Sequence, residues 1–514
     1  MGNGGVIRKT RGAVRCALLL LSPKRFGCTV RNLLLWAKAR VDPNARLILD
    51  EYLDPDDYLN RYPDVANLDI PARLHYICKG YLEDRIPSEE FDGVWYAASN
   101  PDVERAGVNP LLHYALFGAR EERWRRRPKR TARAAQPDCS QPPDGASLLL
   151  ALPFMSIGGV DTLFHTLVKG LLNRGYRVSV ITTLVPPESV KTNNRFFDDL
   201  TPFVYHFPEL FADRQPWKTF FYHLLRQHKV SIILIAGCEF VYGLLPAIAT
   251  DFPHIRVIDQ LFNDSGHIKN NRLYSEIIDL NLVPSRALAD TLTQRYGEIP
   301  DKVAVIPHGV ETDVPQYPSR AAAFALSGLP ACGEGKFLVS FFGRLSAEKS
   351  PRTFVEIARR LAIHPDMYFC MTGEGRERAA VLDLIGEYGL RERIYTPGFV
   401  ADVRPLIAAS DVVVVPSVLD GMPLIVLEAQ VYRKPVVASA VGGLPEAIAD
   451  GVTGFICPVG DIEVFSRCIE RLHKTPEECR AMGERAAIAA TARHSAAAMV
   501  EAYVEVFGRP AFHQ

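Results

Sequence analysis

The chain carries no net charge: 59 Lys and Arg face 59 Asp and Glu over 514 residues. A dedicated nucleic-acid binder normally shows a strong basic excess, so no nucleic-acid partner is expected. Long apolar runs are missing near the start. Ala17–Leu21 is far short of the ~20 residues a membrane helix needs. Leu21 then leads straight into Ser-Pro-Lys-Arg, without the small-residue site at which a secretory signal is cut. No C-x-x-C pair occurs among the ten cysteines (Cys16, Cys28, Cys78, Cys139, Cys238, Cys332, Cys370, Cys457, Cys468 and Cys479), and none sits beside a His at metal-ligand spacing. These absences predict inert thiols, no metal site and a cytoplasmic protein. A P-loop is excluded too, since no G-x-x-x-x-G-K-[ST] stretch exists.

What is present suits a globular chain. Apolar residues make up 48% and charged ones 23%, enough for a sizeable core. The length suggests about three domains. A repeat comes first: Leu53–Arg85 matches Phe91–Arg123 without a gap, at a constant offset of 38 residues. Asp54/Asp92, Tyr58/Tyr96, Pro63/Pro101, Asp64/Asp102, His75/His113, Gly80/Gly118 and Arg85/Arg123 are among the identical pairs. Each unit reads as a short helix, a Pro-Asp turn and an apolar helix closed by Gly. Two copies suit a small helical module over residues 1–133 better than a solenoid. The recurring His75 and His113 read as packing and hydrogen-bonding residues. The charged stretch 120–133 reads as solvated surface; the alternative is contact with anionic lipid headgroups, at the inner face of the membrane. Residues 134–146, rich in Pro, Gly and small polar residues, read as a flexible linker.

From Ser147 short apolar strands alternate with amphipathic helices. Strands are expected at 147–155, 177–183, 231–237, 256–262 and 303–307. After the Pro- and Gly-rich stretch 313–335 they restart at 337–342, 367–372, 394–397, 411–416, 435–439 and 454–457. Near-continuous runs such as Asp411-Val-Val-Val-Val-Pro416 suit strands buried on both faces. Two such series predict two Rossmann-like α/β domains facing across a cleft, at 147–316 and 336–492, with a linker at 317–335.

Three stretches can carry chemistry. Ser156-Ile-Gly-Gly-Val160 follows the first strand and opens a helix. Gly158 and Gly159 make a plain tight turn there, or let backbone N–H groups approach an anion. Phe342-Gly-Arg-Leu-Ser-Ala-Glu-Lys349 leaves the first strand of the second series. Gly343 allows close backbone approach, and Arg344 and Lys349 supply two cations where ligands of open α/β sheets bind. Such a pair suits a diphosphate, each charge-assisted hydrogen bond being worth roughly 1.5–3 kcal/mol; solvated surface charge is the alternative. Pro416–Glu428 places Asp420 in a loop, Gly421, Met422, Pro423 and Leu424 at a helix start, and Glu428 one turn inside. The helix start can donate N–H groups to phosphate or sugar oxygens. The two carboxylates can accept from hydroxyl groups. One inside so apolar a helix is costly without such partners, whereas Asp420 can equally serve as a helix cap.

Residues 147–505 resemble the retaining, nucleotide-sugar-dependent glycosyltransferases of family 4, which have the GT-B fold. The matching pieces are Gly158-Gly159, Ile306-Pro-His-Gly-Val310, Gly343-Arg344 with Glu348-Lys349, Gly373-Glu-Gly375, Asp420-x7-Glu428 and Val441-Gly-Gly-Leu-Pro-Glu446, in the family's order. The repeats resemble short modules found beside bacterial glycosyltransferase domains. The resemblance implies Arg344 and Lys349 on the donor diphosphate and Glu428 on the nucleotide ribose. It puts Asp420 on the donor sugar, in place of the first Glu of the family's E-x7-E, and backbone donors at Gly421–Leu424. It also implies an acceptor domain at 147–316, a nucleotide-sugar domain at 336–492 and a last helix, within 493–514, crossing back onto the acceptor domain. Two departures stand out. Asp420 is one methylene shorter than the usual Glu. Where the family often has a His after an acceptor-domain strand, this chain has Phe262, with Asp259, Asn263 or Asp264 as candidate substitutes.

The function so implied is hexosyl transfer from a nucleoside diphosphate sugar to an acceptor hydroxyl, with retention, as in polysaccharide biosynthesis. The acceptor would be a glycan or a lipid-linked sugar. Arg344, Lys349 and Asp420 would be catalytic. No D-x-D metal motif stands in the expected place, so no obligatory cofactor is implied beyond the donor itself. The alternatives are a catalytically silent binding module, which Phe262 and Asp420 favour, and a nucleotide-sugar epimerase of the same fold.

Overall fold

The computed structural model describes residues 26–508 apart from 69, 122, 124, 127–145, 157, 187–195, 318, 331, 332 and 334. The expected linker at 134–146, apart from Ala146, and residues 122, 124 and 127–133 of the charged stretch lie outside the described residues. Two compact units form: Met1–Thr131 with Gly243–Asp251, and Ala132–Tyr242 with Phe252–Gln514.

In the first unit the repeat dictates the local structure. Asp54 caps helix Pro55–Arg61, and Asp92 caps helix Gly93–Ser99. Pro63 and Pro101 open the next helices, Pro63–Ala66 and Pro101–Ala106, at a position where a missing N–H costs nothing. Tyr58 Oη lies 3.2 Å from His75 Nδ1, and Tyr96 Oη 3.0 Å from His113 Nδ1. Arg85 pairs with Asp64 at 2.7 Å, and Arg123 with Asp102 at 2.9 Å. The residues shared by both copies are thus those that cap, bond and pair within each copy. Described arginines of the charged stretch are also paired inside the module. Arg120 meets Asp42 at 3.0 Å and Arg126 meets Glu90 at 2.9 Å.

The second unit holds two parallel sheets. The first contains β1 (Ser147–Leu152), β2 (Arg177–Thr182), β3 (Val204–His206), β4 (Ile232–Ile235), β5 (Arg256–Gln260), β6 (Leu280–Val283) and β7 (Val303–Val305), in the order 3-2-1-4-5-6-7. The second contains β8 (Phe337–Phe342), β9 (Met367–Thr372), β10 (Ile394–Gly398), β11 (Val412–Val415), β12 (Val436–Ser439) and β13 (Gly454–Cys457), in the order 10-9-8-11-12-13. Every residue of β1, β4 and β11 is buried, as in strands covered by helices on both faces. Leu150 lies opposite Val180 on one side and Leu234 on the other. Each order reverses at one place, between β1 and β4 and between β8 and β11. Open α/β sheets bind ligands beyond the carboxyl ends of the strands at such points.

Two strands were not expected from the sequence. β3 is a three-residue strand at the sheet edge. β6 carries Asn281 among apolar residues, and its amide is absorbed by a buried polar network: Asn271 donates to it at 2.6 Å, and it donates to Glu298 at 3.1 Å. β7 stops at Val305, before Pro307, which has no N–H for a ladder.

Helix Ala496–Gly508 lies on the first sheet's domain. Arg256 Nη1 donates to the Val506 carbonyl at 2.8 Å, Tyr503 Oη donates to Gln260 at 2.5 Å, and Arg174 pairs with Glu501. Met499, Val500, Tyr503, Val506 and Phe507 are buried. The two crossings of the chain between the α/β domains are hydrogen-bonded to each other. Val310 N donates to His494 O and Ala496 N donates to Val310 O, both at 2.8 Å.

Candidate active site

The second sheet's switch point gathers most of the predicted residues. Gly343 leaves β8 and Gly373 leaves β9, and the two backbones touch. A Cβ on Gly373 would stand 1.8 Å from the Gly343 carbonyl oxygen, at a φ of +142°. Only glycine fits there. Leu345 N then donates to Glu374 O at 2.8 Å, which fixes the loop that carries Arg344 and Lys349. The loop after β11 hooks onto it: Val418 N and Leu419 N both donate to Glu348 O, at 2.9 and 3.3 Å. Lys349 Nζ stands 2.5 Å from Asp420 Oδ2, and Ser417 Oγ donates to the same oxygen at 3.0 Å. Arg344 is 68% exposed, 3.8 Å from Glu348. Lys349 and Asp420 thus pair across two adjoining loops, and Arg344 lies exposed on the first of them beside Glu348.

Pro423 opens helix Leu424–Val431. Glu428, one turn in, is half-buried. Burial raises its carboxyl to about 7, with the Arg404 charge pulling the other way. Arg404 is itself held by both oxygens of Asp402, at 2.7 Å each. Met422 and Gly421 precede the helix. Gly421 faces the first domain: a Cβ there would stand 1.8 Å from the carbonyl oxygen of Phe262.

The first domain supplies the opposing wall. Gly158 precedes helix Gly159–Leu172, and Gly159 packs against Leu424, a Cβ there meeting Leu424 Cγ at 3.6 Å. Asp161 accepts from Ser156 Oγ at 2.6 Å. Burial raises its carboxyl, and the Arg344 charge counters that in part. The Phe262 ring sits between Phe164 and His308, at centroid distances of 5.9 and 5.8 Å. The candidate substitutes for the family's His are occupied otherwise. Asp259 is fully enclosed, accepts from Tyr242 at 2.7 Å and Asn271 at 2.6 Å, and is raised by burial to about 6. Asn263 accepts from Ser265 N and Oγ within its own loop, at 3.0 and 2.8 Å. Asp264 lies 4.0 Å from Arg295.

Two contacts across the domain boundary were not anticipated, although both arise from motifs visible in the sequence. His308, in Ile306–Val310, places Nδ1 2.7 Å from the Met422 carbonyl oxygen. Glu446, in Val441–Glu446, accepts from the backbone N–H groups of Arg286 and Ala287 at 2.9 Å each. It thereby caps helix Arg286–Asp290 of the other domain. Chemically, the arrangement offers two cations and a helix start for an anion, beside carboxylates for hydroxyl groups. Among the described residues no three metal-ligating side chains are grouped.

Comparison with known proteins matches both halves. The model for Glycosyltransferase Family 4 fits residues 157–314, and that for Glycosyl transferases group 1 fits residues 330–488. An alpha-D-kanosaminyltransferase of Streptomyces kanamyceticus is 33% identical over 164 residues, 31% of this chain and 42% of that protein. A D-inositol 3-phosphate glycosyltransferase of Saccharomonospora viridis is 32% identical over 233 residues, 43% of this chain and 53% of that protein. The chain thus spans about half the length of the curated relatives it matches. Among solved structures, Anabaena Alr3699/HepE in complex with UDP shares the fold with a TM-score of 0.59 at 20% identity, over 70% of this chain and 99% of that one. A glycosyltransferase from Rickettsia africae gives 0.58 at 18%, over 71% and 98%. With one family signature on each of its two parallel-sheet domains, in the order and fold those relatives share, the chain belongs to the family 4, group 1 glycosyltransferases of GT-B fold.

Proposed function

We propose that the protein transfers a sugar from a uridine diphosphate sugar to an acceptor hydroxyl with retention of configuration. In this reading residues 336–492 bind the donor, and residues 147–316 with the last helix bind a glycan or lipid-linked acceptor. One observation carries it: the loop at the switch point of the second sheet bears two cations and adjoins a helix start, one helical turn from a half-buried carboxylate. Arg344 and Lys349 bind the diphosphate, Gly421–Leu424 offer backbone donors, and Glu428 accepts from the ribose hydroxyls. Uridine is favoured because the Anabaena relative of the same fold binds UDP.

As the bond from the sugar's anomeric carbon to the diphosphate breaks, negative charge grows on the leaving oxygen. Fixed cations and helix-end N–H groups stabilise it without reorganising, which is where enzymes lower barriers most. The acceptor oxygen bonds to the anomeric carbon, and its proton passes to the departing diphosphate. Before the donor arrives Lys349 is held by Asp420. A diphosphate competes for the same ammonium and frees Asp420 to accept from the sugar. Closed domains keep water from the anomeric carbon.

Phe262, in place of the family's His, favours a second reading as a silent nucleotide-binding module. UDP release from a panel of UDP-sugars separates the two. The transferase reading expects turnover of at least one donor. It also expects Arg344→Ala and Lys349→Ala each to weaken UDP at least tenfold while uridine changes by less than twofold. Tight UDP binding without turnover of any donor would establish the silent module. Equal losses for UDP and uridine in calorimetry would remove the diphosphate clamp.

A further inference from the structure

His308 lies just after β7, where the chain leaves the first domain, and the transfer chemistry above does not use it. Its side chain is 6% exposed. Nδ1 faces the Met422 carbonyl oxygen at 2.7 Å. A carbonyl oxygen only accepts, so Nδ1 carries the proton and Nε2 is bare. Nε2 is buried and has no hydrogen-bond partner among the described residues. Burial lowers the imidazole to about 4, the nearby Asp420 charge opposing the shift, so the ring is neutral under working conditions and keeps this tautomer. The Phe262 ring covers it, and its own carbonyl accepts from His494 Nδ1 at 3.1 Å.

The Met422 carbonyl needs such a partner. The first bond of helix Leu424–Val431 runs from Val426 N to Pro423 O, so the Met422 oxygen stands outside the helical ladder. The next residue is proline, so the Met422–Pro423 peptide has no N–H of its own to anchor it. Turned into the site, that oxygen would repel the negative charge that grows on the leaving diphosphate during transfer. His308 holds it, and His308 belongs to the other α/β domain.

We propose, resting on the transferase reading, that His308 is a positioning residue: by donating Nδ1–H to the Met422 carbonyl it locks Gly421–Leu424 in the orientation that meets the leaving charge, and only while the two α/β domains are apposed. Transfer then depends on closure more than nucleotide binding does. Neither the acceptor nor the donor touches the imidazole.

Asparagine offers a side-chain N–H close to where Nδ1 stands, and leucine offers similar bulk without one. The test measures UDP affinity by calorimetry, and kcat and donor KM from UDP release, for the full chain and its H308N and H308L variants. The expected result is a kcat at least fivefold lower in H308L, UDP affinity within threefold, and an H308N at least fivefold faster than H308L. A smaller kcat loss, a UDP affinity that falls as far as kcat, or an H308N no faster than H308L overturns the proposal. H308A takes the place of H308L, with the same criteria, if leucine is not accommodated. Hydrogen exchange of the peptide over 420–426 reads the orientation without turnover. It should quicken in H308L and not in H308N, and unchanged exchange in H308L also overturns the proposal. Absence of turnover in the unmodified chain would instead sink the transferase reading, and exchange alone would then decide about His308.

Discussion

Glu428 couples the proposed nucleotide pocket to pH. Its carboxyl is raised from 4.5 to about 7 by burial. Between those values the folded chain holds a proton that the unfolded chain has released, so stability falls as pH rises through that window. Ionised Glu428 costs the donor-free fold on the order of 1–3 kcal/mol above pH 7. The ionised form is the stronger acceptor for ribose hydroxyls, so binding draws the proton off. Affinity for UDP-glucose, whose phosphates hold no proton near neutrality, is expected to rise about tenfold from pH 6 to pH 8. Glu428→Gln should weaken binding, erase that pH dependence, and raise Tm at pH 8 far more than at pH 4. Calorimetry and thermal melts at those pH values check it, and a pH-independent affinity of the unmodified protein would refute the assignment. Glu428, Asp420, Arg344 and Lys349 stood out as candidates in the sequence, Glu428 because a charge in an apolar run needs a reason and the others because they follow strand ends. Their pairing was not. Lys349 and Asp420 meet only because the loops after β8 and β11 adjoin, and that adjacency is a property of strand order. For the same reason Asp259 looked like a candidate for the cleft, while β5 buries it beneath Tyr242 and Asn271.

The loops and strands show the same division. Apolar runs marked eleven strands well enough to place two α/β series. The runs concealed β3, which is too short to show a pattern, and β6, whose Asn281 reads as a loop residue until Asn271 and Glu298 are seen beside it. The last helix expected within 493–514 is Ala496–Gly508, separated from helix Pro476–Arg493 by the residues that cross between domains. The segment before helix Leu424–Val431 has a further requirement. Gly421 touches the Phe262 carbonyl so closely that any Cβ collides with backbone, which cannot rotate aside as a side chain can. Gly421→Ala should therefore wedge the two α/β domains apart. We expect kcat to drop by at least an order of magnitude, UDP affinity to stay within threefold, and the radius of gyration in small-angle scattering to rise. A variant with unchanged kcat would show that the contact is dispensable for transfer.

At the level of domains, both sheets and every proposed site residue lie between Ser147 and Gly508. A chain starting at Ser147 is expected to bind UDP within threefold of the full protein, whereas transfer to the natural acceptor reports what the repeat module adds. Calorimetry on the purified shortened chain checks the first part, and loss of UDP binding by a folded product would contradict it. The division into two α/β series was readable from alternation alone. The paired crossings at Val310 and Ser495 were not, since a single parallel bridge between distant segments leaves no periodicity in either. Among the described residues no helix is long and apolar enough to cross a membrane.

The helix Ala496–Gly508 also imposes an order of assembly during translation. It completes the first α/β domain, yet about 190 residues separate it from Val305, where the last strand of that domain ends. At about 5–20 residues per second the ribosome needs roughly 10–40 s to make them. For that interval the nascent first α/β domain presents an uncovered apolar seam along helix Gly159–Leu172, where Val500 will later sit against Gly170. The second domain is contiguous in the chain and can close before the first. Of the two α/β domains the one made first is therefore finished last, and until then its seam stays open to solvent.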